Sequence, residues 1–136
     1  MSEDQNERLM QGFKTAATLF AAAPEIPRFE VPPEIAAEWN TFSVSTVMGD
    51  LWSRPGLEMR DRAMITLAAL TVLNRPDQLR VYIHGALGVG VTRSEVCEVI
   101  MHMATYAGFP AAIEAFRVAD SAFKEQDAAA AEKEAT

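Results

Sequence analysis

Four side chains in the second half of the chain stand out as candidates to move a proton: Tyr82, His84, Glu98 and His102. Glu98 and His102 stand four apart in a segment with helical period. Their pairing could hold the imidazole in one tautomer for proton transfer, or could be a plain structural contact one turn apart. With Thr105 they form a polar stripe on an otherwise apolar helix, and polar groups on a buried helix need partners. Tyr82 and His84 are two positions apart, so on a helix their side chains leave about 200° apart and one cannot fill the space of the other. His84 reads as an anion binder or acid, or as an exposed helix histidine. Tyr82 reads as a phenol donating to developing negative charge, or as an interface aromatic with a satisfied hydroxyl.

The charge pattern suggests what such groups would act on. Between Leu51 and Arg93 there are six arginines (54, 60, 62, 75, 80 and 93) against the three acids Glu58, Asp61 and Asp77, inside a chain whose net charge is −7. A cationic pocket for a small anion produces this pattern, and so do surface ion pairs. Arg60 and Arg62 are two positions apart, so at most one faces a given pocket. Trp52 and Arg54, ahead of the Pro55-Gly56 turn, could wall a site through indole packing and a guanidinium fork suited to a carboxylate. Tyr106 reads as packing at a helix junction.

The same inventory excludes other classes. A net charge of −7 argues against nucleic acid, which needs a basic face. The single Cys97 forms no internal disulfide or redox pair, and two histidines at this spacing make no zinc site. No apolar run approaches the roughly 18 residues of a membrane span. The acidic start, Ser2-Glu3-Asp4, lacks the form of a targeting segment, so a cytoplasmic location is expected.

These residues must be carried by helices, because every readable segment has a 3.6-residue period or helix punctuation and none alternates. The expectation is one all-α domain over residues 1–136, with about six helices. The first spans about 4–22, and residues up to 32 form a Pro-rich connection. The second spans about 33–52 and the third about 57–73, so apolar around its circumference that it should be enclosed by the domain or by a subunit interface. The fourth spans about 76–89. The fifth starts at the capping box Thr92-Arg93-Ser94-Glu95 and ends at Gly108. The last opens at Phe109-Pro110, and residues 127–136, alanine and charge up to the final threonine, are expected to fray.

Over residues 49–123 the chain resembles the carboxymuconolactone decarboxylase family. The resemblance rests on Trp52-Ser53-Arg54-Pro55-Gly56-Leu57, Arg60-Asp61-Arg62 opening an apolar helix, Gly90-Val91-Thr92-Arg93-Ser94-Glu95, and Tyr106-Ala107-Gly108-Phe109-Pro110-Ala111-Ala112. It implies an alkyl hydroperoxidase D-like helical bundle assembled as an oligomer, a hexamer built as a trimer of dimers. It implies loss of CO2 from a small anionic lactone or keto acid, typified by conversion of 4-carboxymuconolactone to 3-oxoadipate enol-lactone, with no cofactor or metal. The electrons left behind pass through the ring alkene into the lactone carbonyl, so the site must bind the anion, stabilise a dienolate oxygen and return a proton to carbon.

The chain departs from the family at the expected proton donor, since Tyr82 stands where the family carries histidine. His84 stands at a place usually held by arginine, and His102 where glutamine is commoner. The thiol-peroxidase branch is excluded, because Arg75 and Gln78 occupy its two cysteine places and Ala63 its glutamate place. Two alternatives stay open: a paralogue catalysing isomerisation or cyclisation through a dienolate, and a catalytically silent oligomeric scaffold.

Overall fold

The computed structural model describes residues 1–25 and 27–136, and the described residues contain helices and no strand. The elements are α1 (Glu3–Leu19), α2 (Ala36–Ser43) running without a break into a π-helical segment (Val44–Leu51), α3 (Met59–Val72), α4 (Pro76–Gly88), α5 (Arg93–Ala107) and α6 (Phe109–Ala135). α3 packs on α4 and α5, and α6 lies across α4 and α5. The all-α expectation therefore holds. Thr92 and Glu95 form the reciprocal capping box at the head of α5, and Gly108, at φ 95°, ends it.

The second helix starts later than expected and changes character halfway. Over Val44–Leu51 the chain widens into π turns, closed where the Trp52 amide donates to the Val47 carbonyl five residues back at 2.9 Å. This register buries Ser45, Met48 and Gly49 together. α1 lies against that segment almost backbone to backbone. A Cβ on Gly12 would stand 2.4 Å from the Val44 carbonyl oxygen, and one on Gly49 would stand 2.5 Å from that of Arg8. Only glycine permits the approach. The Arg8 guanidinium then grips the Asp50 carboxylate at 2.6–3.2 Å, fixing the register.

Of the two ways of enclosing α3, this chain alone supplies only part: Ala63, Leu67 and Thr71 form one buried stripe, while Ile65, Ala69 and Val72 face outward, which leaves the subunit-interface alternative open. The residues from 127, expected to fray, are helical, since α6 continues to Ala135. Alanine has the highest helix propensity, and Arg93 of α5 clasps the tail through the Phe123 carbonyl, Gln126 and Asp127 at 2.6–3.4 Å.

Arg60, expected among the substrate-binding arginines, is engaged elsewhere. Its guanidinium binds the Glu95 carboxylate and lies 3.5 Å from the Met64 sulfur, tying the start of α3 to the capping box of α5. That guanidinium, with the Thr92 amide, holds the Glu95 carboxyl down to about 2 from an ordinary 4.5. A lowered folded-state value means that the stabilisation is complete above 4.5 and is lost as pH falls toward about 2.

Two outcomes follow. Gly12→Ala, which helix propensity alone would favour by about 1 kcal/mol, should instead destabilise by roughly 1–3 kcal/mol because the methyl meets backbone. Thermal melts of the variant read the sign directly. Glu95→Gln should be less stable than the parent at neutral pH, and the gap should close between pH 4.5 and about 2, as read from urea midpoints across that range.

Candidate functional site

Trp52 and Tyr82, two of the sequence-selected residues, meet at one corner of the bundle. The π-helical segment delivers Trp52 into the core, 6% exposed, and α4 brings Tyr82 against it with ring centroids 5.9 Å apart. Phe20, just past α1, meets the other side of Tyr82 edge-on at 5.7 Å. The phenol is thus clamped by two aromatics, and its hydroxyl makes no hydrogen bond to another described residue. Burial raises its pKa above the ordinary 10, so it stays a neutral donor throughout the physiological range.

Arg62 reaches back from the first turn of α3 and donates through Nη2 to the Arg54 carbonyl at 3.2 Å, two residues beyond Trp52. Its Nε is buried without a partner among the described residues. Six of the twelve lysines and arginines are held in ion pairs among the described residues: Arg8, Arg60, Arg80, Arg93, Arg117 and Lys124. Arg54 and Arg62 are in none. Arg54 and Arg62 are thus cations without counter-ions, and the Arg62 Nε is an orphaned buried N–H; these are groups that suit an anionic oxygen.

His84 lies away from this corner, as its offset from Tyr82 on the helix requires. It is buried, with Nε2 3.3 Å from the Glu125 carboxylate of α6. Arg80, one turn earlier on the same face, grips that carboxylate through Nε and Nη2 at 2.5–3.0 Å. Arg80 holds Glu125 below the usual carboxylate range, and burial pushes the His84 imidazole down against the opposing pull of Glu125. Arg80 and Glu125 were not among the sequence-selected residues. The i, i+4 spacing of Arg80 and His84 is a signal that was present, but nothing local points to a glutamate 41 residues on.

The Glu98–His102 relay does not form. Both side chains are exposed on the outer face of α5, with no hydrogen bond or ion pair between them, and the imidazole instead lies 5.4 Å from the Tyr106 ring. Tyr106 is 73% exposed, so it packs no helix junction within this chain. The stripe is polar because it faces out, which removes its need for partners. Cys97 is half-buried and free. Among the described residues, no group of three or more His, Cys, Asp or Glu could hold a metal ion, and no helix is long and apolar enough to cross a membrane.

The sequence profile of the carboxymuconolactone decarboxylase family matches residues 37–121. The chain is 30% identical over 122 residues to 4-carboxymuconolactone decarboxylase from Acinetobacter baylyi, covering 90% of this chain and 91% of that protein. It is 34% identical over 85 residues to a nitrosuccinic acid decarboxylase from Metarhizium robertsii, covering 62% of this chain and 54% of that protein. It is also 37% identical over 82 residues, 58% of this chain, to an uncharacterised 15.0 kDa protein of Paracoccus denitrificans, covering 60% of it. A profile spanning well over half the sequence and a relative aligned almost end to end agree, and the chain belongs to the carboxymuconolactone decarboxylase family.

Proposed function

We propose that the protein is a cofactor-free carboxy-lyase acting on a small carboxylated lactone, such as 4-carboxymuconolactone, or on a related keto acid, and that the corner at Tyr82 is its active site. The observation that supports this reading is the Tyr82 phenol packed on Trp52, with the unpaired Arg54 two residues beyond that indole and the unpaired Arg62 bonded to the Arg54 carbonyl. Decarboxylation needs an electron acceptor next to the departing carboxylate. A conjugated lactone carbonyl provides one, and the nitro group of the fungal relative's substrate provides another.

In this reading Arg54 and Arg62 hold carboxylate. As the bond to CO2 breaks, negative charge develops on the carbonyl oxygen and the Tyr82 hydroxyl donates to it; CO2 leaves, and the dienolate carbon takes its proton from water. A phenol whose pKa is raised is a poor deliverer of protons but a steady hydrogen-bond donor. Replacing the family histidine with Tyr82 thus moves the emphasis from proton delivery to stabilisation of the dienolate. Trp52 and Phe20 fix the ring so that the donor needs no reorganisation.

The proposal extends to assembly. Ile65 and Val72 of α3, Met101 of α5, and Phe109 and Ile113 of α6 are large exposed apolar side chains on elements packed together. Such exposure is covered most simply by a second copy, and a hexamer is the assembly the family resemblance implies.

Ultraviolet loss of 4-carboxymuconolactone tests the activity, and Tyr82→Phe tests the site. The variant should keep its fold and lose on the order of 100-fold in turnover, the range for one oxyanion donor, with little change in KM. Arg54→Ala should instead raise KM. A parental rate in Tyr82→Phe removes the phenol from the mechanism. Light scattering should return a multiple of 14.9 kDa, and a monomer at micromolar concentration rejects the assembly.

A further inference from the structure

The face of α4 opposite the Tyr82 corner carries a second concavity that the proposed reaction does not use. Its volume is about 330 Å³, toward the lower end of the range for small-molecule sites. Asp77, Arg80, Val81 and His84, at i, i+3, i+4 and i+7, form its helical wall, and Glu25, Arg28 and Phe29 are among the residues that line its other side. Pro24 and Pro27, also in the lining, each have their own backbone φ fixed by the ring.

The polar groups here are arranged for a ligand with both charges. Arg80 is already neutralised by Glu125, whereas Glu25, Asp77 and Arg28 have no ion-pair partner among the described residues. The floor is His84, 6% exposed. An ionised carboxylate only accepts hydrogen bonds, so the His84 Nε2 must donate to Glu125, leaving Nδ1 as an acceptor with no partner among the described residues. The cavity therefore offers one free cation, two free carboxylates and an acceptor nitrogen. A simple anion would leave the acids unanswered, and a simple cation would leave Arg28 unanswered.

We propose that this cavity is a binding site for a small zwitterion of the α-amino acid class, with the carboxylate on Arg28 and the ammonium directed to Glu25, Asp77 and His84 Nδ1. The site is independent of the decarboxylase reading, because Tyr82 leaves α4 on the other side.

Isothermal titration calorimetry of the intact protein with individual amino acids tests it, using propionate and ethylamine as the two half-ligands. At least one amino acid should bind about tenfold or more tightly than either half-ligand. Arg28→Ala, a surface change that leaves the core intact, and His84→Phe should each weaken that binding about tenfold or more. Tyr82→Phe should leave it unchanged, which separates this site from the proposed reaction. No heat from any amino acid at tens of millimolar, propionate binding as well as the amino acids, or full affinity in Arg28→Ala would each overturn the proposal.

Discussion

Gly12 and Gly49 let α1 and the π-helical segment touch along their backbones, and the positions of both candidate sites follow from that approach. With the two main chains this close, the widened turns of residues 44–51 are set against α1, and their end fixes the indole of Trp52. The same placement carries the end of α1 onto α4, where a Cβ added to Gly85 would stand 3.0–3.2 Å from Phe20 and Leu19. Phe20 then closes on Tyr82, and Ala23, Pro24, Glu25, Pro27, Arg28 and Phe29 line, with His84, the cavity on the opposite face of α4. A methyl group at either glycine would have to move a helix rather than a side chain.

α4 is consequently a two-sided element. Toward Trp52 it presents an uncharged donor held by aromatic contacts, and toward α6 it presents a histidine held by an acid that is itself held by an arginine. The two environments differ in what they do to a proton. Burial alone raises the Tyr82 value and keeps the phenol intact, whereas at His84 burial and the Glu125 charge oppose each other. An ionised glutamate next to a neutral imidazole fixes a tautomer, and a tautomer decides which nitrogen is left to meet a ligand.

Ion pairing explains why some arginines are available and others are not. Arg60 and Arg93 tie α3 and α6 to the head of α5, and Arg80 ties α4 to α6, so these three hold helices together. Exposed pairs of this kind contribute little individually to stability, but they remove their guanidinium groups from competition for a ligand. Arg28, Arg54, Arg62 and Arg75 are the arginines left outside ion pairs among the described residues; Arg28, Arg54 and Arg75 lie between helices and Arg62 in the first turn of α3.

What the sequence determined by itself is the helical class, most helix starts and stops, and family membership, because caps, prolines and the 3.6-residue period act within a few neighbours. The Thr92–Glu95 box and the Gly108 stop are local chemistry and were legible as such. The separation of Tyr82 from His84 was legible too, since it follows from helix geometry. Other features depend on partners far along the chain. The π turns needed the backbone of α1, the pairing of Arg60 with Glu95 crosses 35 residues, and Glu125 reaches His84 across 41. The Glu98–His102 stripe shows the reverse case: correct helical spacing put the two side chains on one face, but only the packing of α5 decided that this face looks outward, where neither residue needs the other. Periodicity states which residues share a face, and tertiary contacts decide what that face meets.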